Sequence, residues 1–238
     1  LEDSIEYALP LGALGRLFGS GMVERKLGRM FAYRHRVTTF DIARHERFRE
    51  RPRLRVGVTG ASGLIGSVVE AFLTTGVHEV VRIKRRSAAS WEWDEASLAK
   101  LEEGDGPLAI VHLAGENVAG GRWTAAQKER IAKSRSEGTR SLCEALARLR
   151  EPPEVVVSAS AIGYYGDRGD EVLTEESPRG EGFLASVCEA WEGATQPIEA
   201  QGTRVVHARI GLVLSPAGGA LATVSYTHLR AHETKAKL

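Results

Sequence analysis

Val56-Gly57-Val58-Thr59-Gly60-Ala61-Ser62-Gly63-Leu64-Ile65-Gly66 joins a short apolar run to an amphipathic one across spaced glycines. Spacing alone makes a weak motif, because any tight strand-to-helix turn can use glycine. The flanks give each glycine a task within a βαβ unit. Gly60 turns the chain off the strand, Gly63 lets backbone approach a diphosphate, and Gly66 lets helix and strand pack closely. The amino end of the following helix offers unpaired N–H groups and the positive end of its dipole to phosphate oxygens. Thr59, Gly60, Ala61, Ser62, Gly63, Leu64, Ile65 and Gly66 are therefore the expected phosphate cradle of a dinucleotide.

Outward from that turn the same grammar repeats. Short β-branched runs predict strands over residues 55–59, 79–83, 108–113, 154–158 and 204–208, and amphipathic periodicity predicts helices over 64–75, 125–149 and 183–201. Strands alternating with helices of this length imply parallel crossovers, and a parallel sheet is covered on both faces. The expected fold class is α/β, a doubly wound parallel sheet of the Rossmann type, over residues 53–223. Ahead of it, residues 5–9 alternate as a strand, and apolar residues at helical spacing run from Leu17 through Met22 and Leu27 to Phe31. One strand and one helix cannot bury both their faces unaided. The charged stretch 44–53 reads as a solvated linker and sets a boundary after residues 1–50. Beyond Ser215 and Pro216 the chain turns polar, and residues 224–238 are expected to be a non-native or disordered tail.

Composition narrows the partners. Lys+Arg number 32 against 31 Asp+Glu, a net charge of +1, so no global field draws the chain to nucleic acid or to an anionic membrane. No run approaches the ~18 apolar residues of a membrane span, and the amino end lacks a charged segment followed by an apolar core. Cys143 and Cys188 are not spaced as a disulfide framework or a zinc site. His228 and His232 have the helical spacing of zinc ligands, but Leu, Arg and Ala lie between them where a metalloprotease needs its glutamate base, so no metal is expected. A reducing, cytoplasmic setting and a small-molecule partner are the expectation.

The end of the second strand decides the cofactor. A NAD-binding protein places an acidic residue there to hold the ribose hydroxyls, whereas this chain reads Arg82-Ile83-Lys84-Arg85-Arg86. A carboxylate would repel a 2′-phosphate; Lys84, Arg85 and Arg86 would bind one through charge-assisted hydrogen bonds of about 1.5–3 kcal/mol each. The expected cofactor is NADP(H), preferred roughly ten-fold or more.

Together, Thr59 to Gly66, the strand end His112-Leu113-Ala114-Gly115 and the run Ser158-Ala159-Ser160-Ala161-Ile162-Gly163-Tyr164-Tyr165-Gly166 resemble the short-chain dehydrogenase/reductase superfamily. From Arg55 to about Thr223 the chain is similar to an atypical branch of the NAD-dependent epimerase/dehydratase family, the epimerase-like or nucleoside-diphosphate-sugar-epimerase-like one. Gly121-Arg122-Trp123-Thr124, Ser134-Arg135-Ser136-Glu137-Gly138-Thr139 and Arg209-Ile210-Gly211-Leu212-Val213-Leu214-Ser215-Pro216 carry that likeness. The resemblance implies that Leu113, Ala114 and Gly115 present backbone to the cofactor and that the substrate-binding part lies largely beyond Pro216, truncated here. Residues 7–12 and 31–35 resemble the last strand and closing helix of a START or Bet v 1-like cavity domain, which makes 1–50 a remnant plus linker.

The resemblance also implies a mechanism from which the chain departs. The family pairs a Ser with a Tyr and a Lys four residues later; here the corresponding helix opens Phe183-Leu184-Ala185-Ser186-Val187-Cys188. Ser160 remains, with Ser158 a poorer candidate. An unassisted tyrosine titrates near 10, and general acid-base help is worth roughly 10²–10⁴ in rate, so a replacement is needed. Tyr164 or Tyr165 is the candidate acid, with Arg135 as the cation favouring its phenolate; alternatively both tyrosines only pack under the nicotinamide loop. Cys188 is either a reactive thiol or a small buried apolar residue. The expected function is an NADP(H)-binding oxidoreductase or epimerase-like enzyme acting on a carbonyl or sugar-like compound, compatible with a homodimer. The alternative is a noncatalytic NADP(H)-binding sensor or scaffold module.

Overall fold

The computed structural model describes residues 12–87, 90–118, 122–215 and 218–219. The chain divides into two units, Leu1–Arg51 and Pro52–Leu238. In the first unit the helix α1 spans Gly12–Arg47. It runs on through 44–47, which the sequence reading gave to a linker. Charge does not end a helix: Arg and Glu are good helix formers, and Arg44, His45 and Arg47 in the last turn complement the negative end of the dipole. The strand expected at 5–9 and the tail at 224–238, with His228 and His232, lie outside the described residues.

The second unit is built on five parallel strands, β1 (Arg55–Thr59), β2 (Glu79–Ile83), β3 (Leu108–His112), β4 (Val155–Ala161) and β5 (Arg204–Ile210), in the order β2-β1-β3-β4-β5. Helices α2 (Leu64–Thr75), α3 (Glu95–Ala99), α4 (Ala125–Leu146), α5 (Phe183–Gly193) and α6 (Gln196–Glu199) connect them. This is the expected Rossmann-type α/β fold. The helix predicted over 183–201 is broken in two, because Gly193 closes α5 and Pro197 has no N–H to continue it, standing instead in the first turn of α6. The short α3 was not predicted. Its signal is local rather than periodic: the Asp94 carboxylate caps it, accepting from the Ser97 N–H at 2.8 Å.

Strand alternation sorts the core onto two faces. Val56 and Val58 of β1 pack with Leu73 of α2, Val80 and Val111. The opposite face gathers Val81, Ile83, Ile110 and Val156 with Leu142 and Leu146 of α4 and Ile198 of α6. All of β1 is buried, as a central parallel strand must be. The chain leaves β1 for β2 on one side and returns to β3 on the other. This reversal opens a crevice beyond the carboxyl ends of β1 and β3, the place where open α/β sheets bind ligands.

Candidate active site

The glycine turn forms one wall of that crevice. Gly60 has φ 68°, and a Cβ there would stand 2.8 Å from the Leu113 carbonyl carbon, so both its conformation and its neighbour require glycine. A Cβ on Gly66 would meet the Gly60 carbonyl oxygen at 2.1 Å; the missing side chain lets α2 start directly behind the turn. Gly63 is the N-cap of α2, and no side chain caps its first turn. The first N–H groups of α2 are thus left to a ligand.

The opposing wall, Leu113 to Gly115, is held from beneath. Thr59 Oγ1 accepts from the backbone N–H of Leu113 at 3.1 Å and of Ala114 at 3.2 Å. Its own proton then goes to His112 Nδ1, 2.7 Å away, which leaves the imidazole proton on Nε2 to donate to Thr139 Oγ1 at 2.9 Å. His112 is buried, and burial pulls its pKa down to about 4, so the ring is neutral. It supports the cleft floor, a packing and hydrogen-bonding task.

The cleft encloses about 470 Å³, within the range of small-molecule sites. Ala61, Ser62, Leu113, Ala114 and Gly115 line it, and at the end of β2 so do Lys84 and Arg85. Among the described residues Lys84 has no ion pair, while the Arg85 guanidinium lies 5.3 Å from the Trp91 ring. Arg86 does not line the cleft; it pairs with Glu92 at 3.1 Å on the surface. The basic stretch therefore splits, with Lys84 and Arg85 on the cleft wall and Arg86 toward solvent. Arg82 also lines the cleft, bonded to Glu70 at 2.6 Å, a hydrogen bond and charge that raise its pKa. A crevice with a glycine cradle at one end and cations at the other fits a dinucleotide.

A second cluster stands at the carboxyl ends of β4 and β5. The register places Ser160 beside Arg209. Glu192, one turn beyond Cys188 on α5, reaches both. Ser160 Oγ donates to Glu192 Oε1 at 2.6 Å, and Arg209 grips the same carboxylate with Nε and Nη2, each at 2.9 Å. Arg209 Nη1 donates to the Tyr165 hydroxyl oxygen at 2.9 Å, and its guanidinium carbon lies 3.6 Å from the Tyr164 ring centroid. Burial opposes ionisation of Glu192, but the hydrogen bonds from Arg209 and Ser160 and the Arg209 charge outweigh it, holding the carboxyl below its ordinary value. The hydrogen bond to Glu192 likewise raises the Arg209 pKa. Both groups are charged at neutral pH.

The structure thus brings together Ser160, Tyr164 and Tyr165 as the sequence proposed, but through a different cation. Arg135, expected to serve the tyrosines, instead donates to the carbonyls of Glu116 and Ile131 at 3.1 and 3.3 Å and sits 4.9 Å from the Trp191 ring. Its position on α4 points it under Gly115, whose Cβ would stand 3.4 Å from the guanidinium carbon. Arg209 takes the place beside the phenols. Cys188 is buried, and burial pushes its thiol pKa up, more than the backbone hydrogen bond at Ala161 and the Arg135 charge lower it, which is opposite to the shift a reactive thiol needs. Cys143, pushed to about 12 chiefly by burial, is core. Ser158 Oγ donates instead to the Ala159 carbonyl at 3.4 Å.

Glu192 and Arg209 were missed as site residues. A signal existed for the second: a lone Arg in Val205-Val206-His207-Ala208-Arg209-Ile210 is costly in a strand packed in a sheet unless something pairs with it.

The second unit is similar to known proteins. Residues 56–235 match the NAD dependent epimerase/dehydratase family. The chain is 42% identical over 176 residues to an epimerase family protein of Mycobacterium bovis, covering 70% of this chain and 56% of that protein. It is 31% identical over 173 residues to epimerase family protein YfhF of Bacillus subtilis, covering 69% and 57%. Among solved structures, the nucleoside-diphosphate sugar epimerase from Corynebacterium glutamicum superimposes with a TM-score of 0.68 at 38% identity, covering 83% of this chain and 43% of that one. Human epimerase family protein SDR39U1, solved with NADPH, gives a TM-score of 0.62 at 29% identity and covers 72% of this chain and 58% of that one. The chain spans about half the length of the curated relatives it matches. The START-like reading of residues 1–50 gains no support, since the family match begins at residue 56.

Proposed function

Because this chain belongs to the NAD dependent epimerase/dehydratase family, we propose that it binds NADP(H) across the β1/β3 crevice as the cofactor-binding part of an oxidoreductase or epimerase-like enzyme. Its substrate class is a carbonyl or sugar-like small molecule. The observation that carries the reading is the pair Lys84 and Arg85 on the cleft wall at the end of β2, where a NAD-specific site needs a carboxylate. The human relative solved with NADPH supports it.

NADP(H), when bound, supplies or accepts a hydride. The chain's own residues do the rest. The backbone from Gly60 to Gly66 cradles the diphosphate, and Lys84 and Arg85 hold the extra phosphate. Leu113 to Gly115, fixed by Thr59, form the floor. Ser160 holds the substrate oxygen at the end of β4, and Tyr165, whose hydroxyl oxygen already accepts from Arg209, has its own proton free to donate. Arg209 is the cation beside the phenol, the role that a lysine has in the family's usual mechanism.

A noncatalytic module remains the second reading, favoured by the Phe183 to Cys188 run and the raised Cys188 thiol pKa. The test adds NADPH with a panel of carbonyl compounds, and NADP+ with the corresponding alcohols, and follows absorbance. Turnover that disappears in Ser160→Ala supports the enzyme. Tight binding without turnover supports the module, and absence of cofactor binding defeats both.

A further inference from the structure

Ser160 in this site is not poised as an oxyanion-type donor. Its hydroxyl has a single proton, and that proton lies on a 2.6 Å bond to Glu192 Oε1. An ionised carboxylate only accepts, so the direction of this bond is fixed. The carboxylate is fixed in turn: Arg209 holds both its oxygens at 2.9 Å. With its proton engaged, Ser160 Oγ, 2% exposed and beside Cys188, has lone pairs alone to offer a ligand that reaches the end of β4. We propose that Glu192 is a positioning residue that makes Ser160 a hydrogen-bond acceptor, so that the site selects small molecules presenting a hydroxyl to Ser160 over those presenting a carbonyl. This rests on the NADP(H) reading above and specifies the ligand of that same site.

The energetic reason is an asymmetry of unmade bonds. A hydroxyl placed against Ser160 donates to a free lone pair. A carbonyl there sets two acceptors face to face, unless Ser160 first breaks its charge-assisted bond to Glu192. Such a mismatch between a built acceptor and the wrong ligand group is a strong source of discrimination. The groups that face Glu192 keep it ionised over the neutral range. Arg209 and His207 on β5 and Ser160 on β4 lower its pKa, while burial opposes them; Cys188 is its neighbour on α5, and the Tyr165 hydroxyl lies on the far side of Arg209. Protonation of Glu192 in acid would reverse the bond, turn Ser160 into a donor and remove the preference.

The experiment uses cyclohexanol and cyclohexanone, a pair matched in size that differ at the polar group. Binding of each to the full chain saturated with NADP+ is measured by ligand-observed NMR at neutral pH, after calorimetry with NADP+ alone. The wild-type protein is expected to bind the alcohol about ten-fold more tightly than the ketone, the equivalent of one well-made hydrogen bond of about 1.4 kcal/mol. Ser160→Ala should abolish the preference. Glu192→Gln, whose carbonyl oxygen can still accept from Ser160, should retain it, whereas Glu192→Leu should lose or invert it. Equal affinities in the wild-type protein, tighter binding of the ketone, or binding of neither probe overturns the proposal without need of any variant. Failure of NADP+ to bind in the preliminary calorimetry defeats the cofactor reading itself and is thereby distinguished.

Discussion

The two halves of the candidate site are built in opposite ways. The cleft over β1 and β3 rests on two runs of consecutive backbone: the turn that begins at Gly60 and the strand end from His112 to Gly115 contribute about half of the residues that line it. The cluster over β4 and β5 is made of side chains that meet only in three dimensions. Ser160 and Glu192 are 32 residues apart, and Glu192 and Arg209 are 17 apart. Backbone sites depend on small residues and correct φ values, so substitutions that add atoms damage them. Side-chain clusters depend on matched charges, so substitutions that remove one partner damage them.

That difference can be broken open by removing a charge. Arg209→Leu should strand the Glu192 carboxylate, costing about 3–5 kcal/mol by the usual penalty for orphaning a largely buried partner. Denaturant unfolding would measure it. A loss below 1 kcal/mol would mean that solvent already screens the pair. Replacing both residues together, as Arg209→Leu with Glu192→Leu, should restore much of the stability while abolishing any activity.

The cleft has its own pH signature. His112 titrates at about 4 in the folded protein and near 6.5 when unfolded. Between those values the unfolded chain binds the extra proton, so stability is fully present above pH 6.5 and is lost as pH falls toward 4. The full loss is roughly 3 kcal/mol, and urea midpoints at pH 7, 5.5 and 4 would record it. His112→Gln should lower stability at pH 7 and flatten that slope; an unchanged slope would assign the acid sensitivity elsewhere.

Adding one methyl group tests the backbone side of the comparison. Gly66→Ala drives a Cβ to 2.1 Å from the Gly60 carbonyl oxygen, and overpacking of this kind costs about 1–3 kcal/mol. It should also weaken NADPH binding, since relief requires the turn to move away from α2. A variant with unaltered thermal midpoint and cofactor affinity would contradict the close packing. The smallest expected effects concern the second strand's end. Lys84→Ala and Arg85→Ala should each weaken NADPH about ten-fold while leaving NADH unchanged, and Arg86→Ala, whose guanidinium pairs with Glu92, should alter neither.

The same contrast explains what could be read from the sequence. The cradle was legible because its φ values, glycines and helix start lie in one contiguous run. The sheet was legible because strand and helix periods alternate from Arg55 onward. Lys84 and Arg85 could be placed at the cleft, but the turning of Arg86 to Glu92 could not, since it depends on a strand-like bridge between Arg85 and Trp93. Arg135 and Arg209 both lie in runs that carry the family likeness, and only the β4–β5 register, which sets Ser160 beside Arg209, tells which of them stands by the tyrosines. Glu192 could not be told from any charged position on an amphipathic helix until α5 packed over that strand pair.

Isothermal titration of the folded chain with NADPH and, separately, NADH tests the central claim most directly. Saturable binding of NADPH with at least a ten-fold advantage over NADH is the predicted result. No heat with NADPH would contradict the claim outright, and equal affinity for the two nucleotides would remove Lys84 and Arg85 from the site.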